Sequence, residues 1–142
     1  MSMLTRQHWE AHVPHAGDMA LIDAVVDWNE TIIHAIGERH SIDSHPLRSS
    51  VGLHAVHLAE YGAQALAVHA VLLGEAGDRA GRLVSLRDVQ LAVEYVDLSE
   101  GHLDVHAERI FVDGRGAQYL FKVNQQGRTL ASGRVAVMYA SQ

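Results

Sequence analysis

Two positions in the sequence carry side chains suited to acid–base chemistry. His45 precedes Pro46 in a polar segment, and Glu60 lies between Ala59 and Tyr61 in a stretch rich in small and apolar residues. An imidazole with an ordinary pKa of about 6.5 can take up a proton at neutral pH. A carboxyl group removed from water can hold or donate one. Together the two groups suit a reaction in which one proton is removed and another is delivered.

The surroundings of Glu60 limit how its carboxylate can be interpreted. Residues 53–73 are apolar on most helical faces and contain only Gly62 as a helix-disfavouring residue, which predicts a buried helix. A carboxylate buried without a partner is costly, so Glu60 must be paired, neutral or lining a cavity. Gln64 lies one turn later on the same face. Two interpretations stay open for Glu60, a structural ion pair with an arginine and a functional carboxylate, and His45 could equally be a solvated loop residue.

The segments around this helix must position the two groups. Residues 19–36 mix β-branched and apolar residues and predict one long strand or a bent pair, reached through a loop at residues 14–17. Residues 41–52 predict a loop around Pro46, and residues 75–78 predict the end of the helix.

The part of the chain after the helix alternates between apolar and polar residues with period two. This pattern predicts an antiparallel meander, with turns at residues 99–101, 113–116 and 124–127. The predicted strands are residues 83–91, 93–96, 103–112, 117–123 and 130–139. Strands segregated from one helix indicate an α+β fold. No linker or repeat divides the sequence, so residues 1–142 are expected to form a single domain.

Composition argues against several classes of function. Seventeen acidic residues against eleven Lys and Arg give a net charge of −6, and binding nucleic acid requires concentrated positive charge. The absence of cysteine excludes disulfides, thiolate metal sites and a cysteine nucleophile. No apolar run reaches the roughly eighteen residues of a membrane-spanning helix, and the first ten residues lack the apolar core of a secretory signal. We therefore expect no nucleic-acid or membrane partner and a cytoplasmic location.

His54, His57 and Glu60 recur at three-residue spacing on the predicted helix. Steps of three drift around a helix because one turn holds 3.6 residues, so these side chains converge only loosely. The arrangement that zinc proteases use, two histidines four residues apart with a glutamate between them, is absent. We expect no metal site, and expect His54 and His57 to line the mouth of a pocket or the seam of a dimer.

Several motifs resemble the hot-dog-fold 3-hydroxyacyl-acyl-carrier-protein dehydratases. Residues 14–25 (PHAGDMALIDAV) resemble the opening of these proteins, and His45-Pro46 and residues 60–65 (EYGAQA) follow in the same order. Residues 101–103 (GHL) and 132–135 (SGRV) also fit, so the resemblance covers almost the whole chain. It is strongest to the predicted dehydratases of aryl-polyene and related pathways. The resemblance implies a hot-dog fold, in which an antiparallel sheet wraps a long central helix.

The resemblance also implies a reaction and a set of site residues. A loop histidine and a helix carboxylate form the catalytic pair in that family, which here correspond to His45 as the base and Glu60 as the acid or water-orienting group. Gln64 would support Glu60, and the amide near Ala55 would polarise the thioester carbonyl. The family builds its site across a dimer interface, uses no metal or organic cofactor, and removes water from a 3-hydroxyacyl group on acyl carrier protein.

Two alternatives on the same fold stay open. A thioesterase also uses a helix carboxylate, to activate water against the carbonyl. A non-catalytic subunit of a heterodimeric dehydratase would instead complete the pocket of its partner. Residues 51–57 (VGLHAVH) support the alternative of a non-catalytic subunit, because they lack the Pro-Gly that usually precedes the helix in the family.

Arginines suggest where a carrier protein would dock. Arg79, Arg82 and Arg87 follow the predicted helix closely. Acyl carrier proteins are acidic, so a basic rim beside the pocket would guide one to it. The sequence equally allows these arginines to be scattered, solvated charges.

Overall fold

The computed structural model describes residues 3–14, 16–42, 44–75 and 81–139, and for residues 81–84 and 139 the backbone only. Over these residues the chain forms seven strands, one α-helix and four short 3-10 helices. The strands and the α-helix are β1 (Leu4–Thr5), β2 (Ala24–Trp28), β3 (Ile32–Gly37), α1 (Leu58–Leu72), β4 (Gly81–Leu91), β5 (Leu103–Val112), β6 (Gly116–Gln125) and β7 (Arg128–Tyr139). The 3-10 helices are Arg6–His8, Glu10–His12, Gly17–Met19 and Ala55–His57.

The seven strands form one antiparallel sheet in the order β1-β2-β3-β5-β6-β7-β4. α1 lies against one face of this sheet and contacts β3, β5, β6 and β7. The core forms where the inward-facing strand residues meet the helix, with Leu58 and Ala65 of α1 and Val105 of β5 fully buried. The predicted α+β architecture, a long central helix wrapped by an antiparallel sheet, is confirmed. The described part of the chain contains no helix with the length and apolarity needed to cross a membrane.

Glycines let the helix approach the sheet closely around one aromatic ring. A Cβ atom on Gly62 of α1 would lie 2.7 Å from Cγ of Phe121, and a Cβ on Gly133 of β7 would lie 2.7 Å from Cε1 of the same ring. Both distances are far below van der Waals contact, so the ring fills the space that the two glycines leave. Gly62 therefore has a packing role that offsets its poor helix propensity.

The α-helix begins later than the sequence predicts. α1 starts at Leu58 rather than Leu53, because the backbone before it bonds to the segment after β4. The Ala55 amide donates to the Glu94 carbonyl over 2.8 Å, and the Val96 amide donates to the Leu53 carbonyl over 2.9 Å. These long-range bonds hold the predicted first turn in an extended conformation followed by a 3-10 turn.

The end of the helix and the segment at residues 93–96 also differ from the prediction. α1 ends at Leu72, one residue before the predicted end. Of the predicted stop at residues 75–78, residues 76–78 lie outside the described part of the chain. The predicted strand at 93–96 is wrong, because this segment forms only an isolated bridge between Tyr95 and His54.

Residues 19–36 form a hairpin rather than a single long strand. β2 and β3 pair antiparallel across a turn in which the side chain of Asn29 accepts from the amides of Thr31 and Ile32. An asparagine that bonds the backbone two or three residues later is a common turn former. Of the two alternatives for this segment, the bent pair is correct. In the predicted loop before it, His15 lies outside the described residues.

Candidate active site

Glu60 is held in place by Gln64, as the spacing predicts. The Gln64 side-chain amide donates to Oε1 of Glu60 over 3.1 Å and to the Met19 carbonyl over 2.7 Å. Its side-chain oxygen accepts from the Leu21 amide over 2.8 Å. Gln64 is only 2% exposed, so these bonds form away from water, where they orient strongly. The carboxylate is thereby tied to the segment that leads into β2.

Glu60 is half-buried and lines a cavity of about 330 Å³. Most of the cavity wall is apolar, and the wall comes from α1, the turn before it, β4, β7 and two connecting segments. The lining residues are Met19, Leu47, Val56, His57, Ala59, Glu60, Ala63, Leu86 and Val135. The cavity therefore combines a carboxylate and the imidazole of His57 with a surface that suits an acyl chain.

His45 is not among the residues that line this cavity, and its ring is buried against Tyr61. Its side chain is 7% exposed, and Nε2 lies 3.0 Å from the hydroxyl oxygen of Tyr61. Nδ1 accepts a hydrogen bond from the Leu47 amide over 3.2 Å. Both ring nitrogens therefore have partners within the chain. His45 and Glu60 are predicted to form a pair across a dimer interface, and this pairing stays a prediction for a single chain.

The environment of His45 keeps its imidazole neutral. Burial is the main cause that lowers its pKa below 6.5, since burial disfavours the charged form. Positively charged or chargeable side chains nearby lower the pKa further: Arg39, His40, Arg48 and His57. At pH 7 the ring is thus in the form that a general base requires.

The amide of Ala55 is not available to a substrate carbonyl. It donates to the Glu94 carbonyl, while the next two amides, of Val56 and His57, donate to Nδ1 and to the carbonyl oxygen of His54. The expectation of a free amide donor at Ala55 is therefore wrong, because the late start of α1 uses these groups within the fold. His54 itself packs edge-on against Tyr95, with ring centroids 5.2 Å apart.

Tyr61 is the site residue that sequence reasoning missed. It is fully buried, directly follows Glu60 and contacts His45 through its hydroxyl. Burial, with Asp23 nearby, raises its pKa well above the usual range, so the hydroxyl stays protonated. A usable signal was present in the sequence, because a buried tyrosine normally bonds its hydroxyl to a polar partner.

A second buried histidine lies in the last turn of α1. His69 is fully buried, with Nδ1 2.6 Å from the Tyr119 hydroxyl and Nε2 2.7 Å from the Asn29 carbonyl. Arg109 donates to the same tyrosine hydroxyl over 2.9 Å and forms an ion pair with Glu75 at 2.6 Å. Burial lowers the pKa of His69, and the hydrogen bond from Arg109 lowers the pKa of Glu75. We call His69, Tyr119, Arg109 and Glu75 the helix-end network.

Two further expectations concern metal ions and carrier docking. Within the described ranges, no three His, Asp or Glu side chains are arranged to hold a metal ion. In the predicted basic rim, Arg79 and the side chain of Arg82 lie outside the described residues, and Arg87 is exposed on β4. The basic rim therefore stays a prediction.

The sheet order, the single buried helix and the position of Glu60 define a hot-dog-fold protein. The family model described as ApeP-like, ApeP dehydratase, matches residues 7–142. The chain belongs to this dehydratase family, which confirms the sequence-based assignment. No curated protein matches the sequence.

Solved structures support the fold assignment. The dehydratase heterocomplex ApeI:P from Xenorhabdus doucetiae is similar with a TM-score of 0.79 at 22% identity, covering 94% of this chain and 91% of that chain. The conserved protein PA5202 from Pseudomonas aeruginosa gives 0.68 at 15% identity, covering 93% and 98%. A point mutant of the thioesterase PA1618 from the same organism gives 0.69 at 12% identity, covering 95% and 92%. At these identities the similarity shows the fold alone.

Proposed function

We propose that this chain removes water from 3-hydroxyacyl thioesters carried on acyl carrier protein, giving the trans-2-enoyl thioester. The observation that carries the proposal is the carboxylate of Glu60, fixed by Gln64 at the wall of an apolar cavity, in a member of a dehydratase family. A family of dehydratases supplies the reaction class. The apolar wall suits the binding of an acyl chain. The carboxylate of Glu60, held by Gln64, suits a contact with the departing hydroxyl group.

The proposed elimination needs two proton transfers. A base takes the proton from the carbon next to the thioester carbonyl, and the electron pair forms the double bond while the C–O bond at the third carbon breaks. An acid protonates the departing hydroxyl, so the products are the enoyl thioester and water. We assign the base to His45, whose Nδ1 lone pair would exchange the Leu47 amide for the substrate proton, and the acid, or the orientation of the leaving water, to Glu60. No metal or organic cofactor takes part in this assignment.

A second hot-dog subunit completes the proposed site. Among the described strands β4 pairs with β7 on one side only, and its exposed Leu86 lies at the Glu60 cavity. An unpaired strand edge is a ready surface for another strand. A partner paired along β4 would cover the cavity, with His45 of one subunit facing Glu60 of the other. The similar ApeI:P structure is a heterocomplex, which supports an unlike hot-dog chain as a partner besides a second copy of this chain.

A thioesterase is the second candidate, favoured by the similarity to the thioesterase PA1618. The two reactions differ in their products. We expect a 3-hydroxyacyl carrier protein to yield the enoyl thioester, detected by its mass and its ultraviolet absorbance, and a saturated acyl carrier protein to stay unchanged. Release of free thiol from both substrates would overturn dehydration. The assay should be run on the chain alone and with a co-expressed hot-dog partner.

Replacing Glu60 tests the residue that carries the proposal. Glu60→Gln keeps the size of the side chain and removes its proton chemistry, so we expect turnover to fall by about 10²–10⁴-fold. Glu108→Gln is the matched control, because Glu108 is exposed on β5 away from the cavity. Circular dichroism should show both variants folded. Near-normal turnover in folded Glu60→Gln would contradict the assigned role.

A further inference from the structure

The two hydrogen bonds of His45 determine which ring nitrogen carries the proton. The Leu47 amide can only donate, and it lies 3.2 Å from Nδ1, so Nδ1 accepts. A neutral imidazole has one N–H and one lone pair. The proton is therefore on Nε2, which lies 3.0 Å from the Tyr61 hydroxyl oxygen and donates to it.

The ring of Tyr61 is tightly packed, so the position of its hydroxyl group is fixed. Its ring lies against the backbone of β3, where a Cβ atom on Gly37 would come within 2.9 Å of Cε2. The Tyr61 and His45 rings are nearly parallel, 8° apart, with centroids separated by 6.2 Å. Because consecutive residues of a helix point about 100° apart, α1 directs Glu60 to the cavity and Tyr61 to the loop imidazole. The helix thus carries Glu60 and, through Tyr61, contacts His45 of the same chain.

We propose that Tyr61 is a positioning residue for His45: the Tyr61 hydroxyl oxygen accepts the Nε2 proton and holds the imidazole in one orientation. The inference rests on the proposed dehydratase function for its consequence, since proton transfer requires an imidazole fixed in one orientation. It does not rest on that function for its geometry. In the absence of the hydroxyl, Nε2–H would face the apolar ring edge without an acceptor, and the ring would lose one of the two hydrogen bonds that orient it.

Tyr61→Phe tests the proposal, with Tyr119→Phe as the matched control. Tyr119 is also buried and also bonds a histidine, His69, but it is not part of the proposed site. In ¹⁵N-histidine spectra of the wild-type protein above pH 7, we expect His45 to show the Nε2–H tautomer. We expect Tyr61→Phe to shift the Nε2 signal of His45, because its proton loses the acceptor, and Tyr119→Phe to leave His45 unchanged.

The pH profile of turnover gives a second measurement. The charged imidazole also donates to Tyr61, so removing this acceptor disfavours protonation. In Tyr61→Phe the ascending limb of kcat/KM should move to lower pH, and its plateau should fall about 10- to 100-fold because the ring is misplaced. Tyr119→Phe should leave the limb in place.

The outcomes separate the two proposals. An Nδ1–H tautomer in the wild-type protein, or unchanged His45 signals in Tyr61→Phe, would overturn the role of Tyr61 whatever the activity. An Nδ1–H tautomer overturns the role of Tyr61 even where Tyr61→Phe does not fold. A protein with the expected tautomer and no dehydration of any 3-hydroxyacyl thioester, alone or with a hot-dog partner, would overturn the proposed function only.

Discussion

The chain contains two buried histidine–tyrosine pairs whose hydrogen bonds run in opposite directions. His45 donates from Nε2 to Tyr61, because the Leu47 amide occupies Nδ1. His69 donates from Nε2 to the Asn29 carbonyl, so its Nδ1 accepts from Tyr119. The same two residue types thus form hydrogen bonds of opposite direction. The third group at each imidazole, the Leu47 amide or the Asn29 carbonyl, determines this direction.

The two pairs also differ in what surrounds them. The helix-end network continues from Tyr119 to Arg109 and on to Glu75, and every member has a partner. Such a closed network is typical of a structural connection between helix and sheet. The pair at His45 joins a loop residue to α1, where Tyr61 directly follows Glu60. We therefore expect substitutions at the first pair to affect turnover and substitutions at the second to affect stability.

The largest expected contrast is between His45→Ala and His69→Ala. The former should reduce turnover by about 10²–10⁴-fold with the fold retained, because the proposed general base is lost. The latter should lower the free energy of unfolding, with turnover per folded molecule close to wild type. Turnover and urea denaturation measured on both variants check this. The comparison would fail if His69→Ala lost turnover as His45→Ala does.

Arg109→Met should give the next largest effect. The Arg109 side chain is 8% exposed, and its loss would leave the Tyr119 hydroxyl without this donor. Glu75 is 36% exposed, so solvent screens its share of the ion pair. We expect the free energy of unfolding to fall by about 1–3 kcal/mol. Arg134→Met, at an exposed arginine on β7, is the control and should change it by less than about 0.5 kcal/mol. Equal effects of the two variants would count against a stabilising network.

The smallest expected effect is on the pH dependence of the free energy of unfolding, and we expect it to have the same sign for both pairs. Burial lowers the pKa of His45 and of His69, so the unfolded chain binds protons more readily than the folded chain. The free energy of unfolding should therefore fall as the pH drops below about 6.5, and stop falling below the folded-state pKa values. Each histidine contributes a slope of at most about 1.4 kcal/mol per pH unit.

His45→Gln and His69→Gln measure these contributions separately. Urea denaturation between about pH 5 and 7.5, a range that brackets the ordinary histidine pKa, should give a shallower slope for each variant and a still shallower one for the double variant. Identical slopes in wild type and both variants would mean that neither imidazole is kept neutral by burial. The absolute stability of each variant does not enter, since only the slope is compared.

The fold could be predicted from the sequence because its signals are local. The period-two alternation indicated the strands from β5 to β7, and the small and apolar residues of α1 indicated a buried helix. The start of the helix could not be predicted in this way. Leu53 and Ala55 are held by bonds to residues 94 and 96, some forty positions later in the chain, and these bonds override the local helix propensity.

The candidate site was predictable in part for the same reason. Glu60 and Gln64 lie four residues apart on one helix, so their contact follows from helix geometry. The contact of His45 with Tyr61 depends on how the loop folds back over the helix, which spacing does not indicate. The proposed pairing of His45 with Glu60 of a second subunit stays a prediction, which the sequence implied only through the resemblance to dehydratases.

The side chain of Gln64 has a consequence for communication within the molecule. A carboxamide has an NH₂ group that donates hydrogen bonds and an oxygen that accepts them. Gln64 donates to the Met19 carbonyl and to Glu60, and it accepts from the Leu21 amide. A carboxylate at this position could not donate these hydrogen bonds, and a leucine side chain could neither donate nor accept them. A displacement of the stretch before β2 would therefore be transmitted through Gln64 to the Glu60 carboxylate.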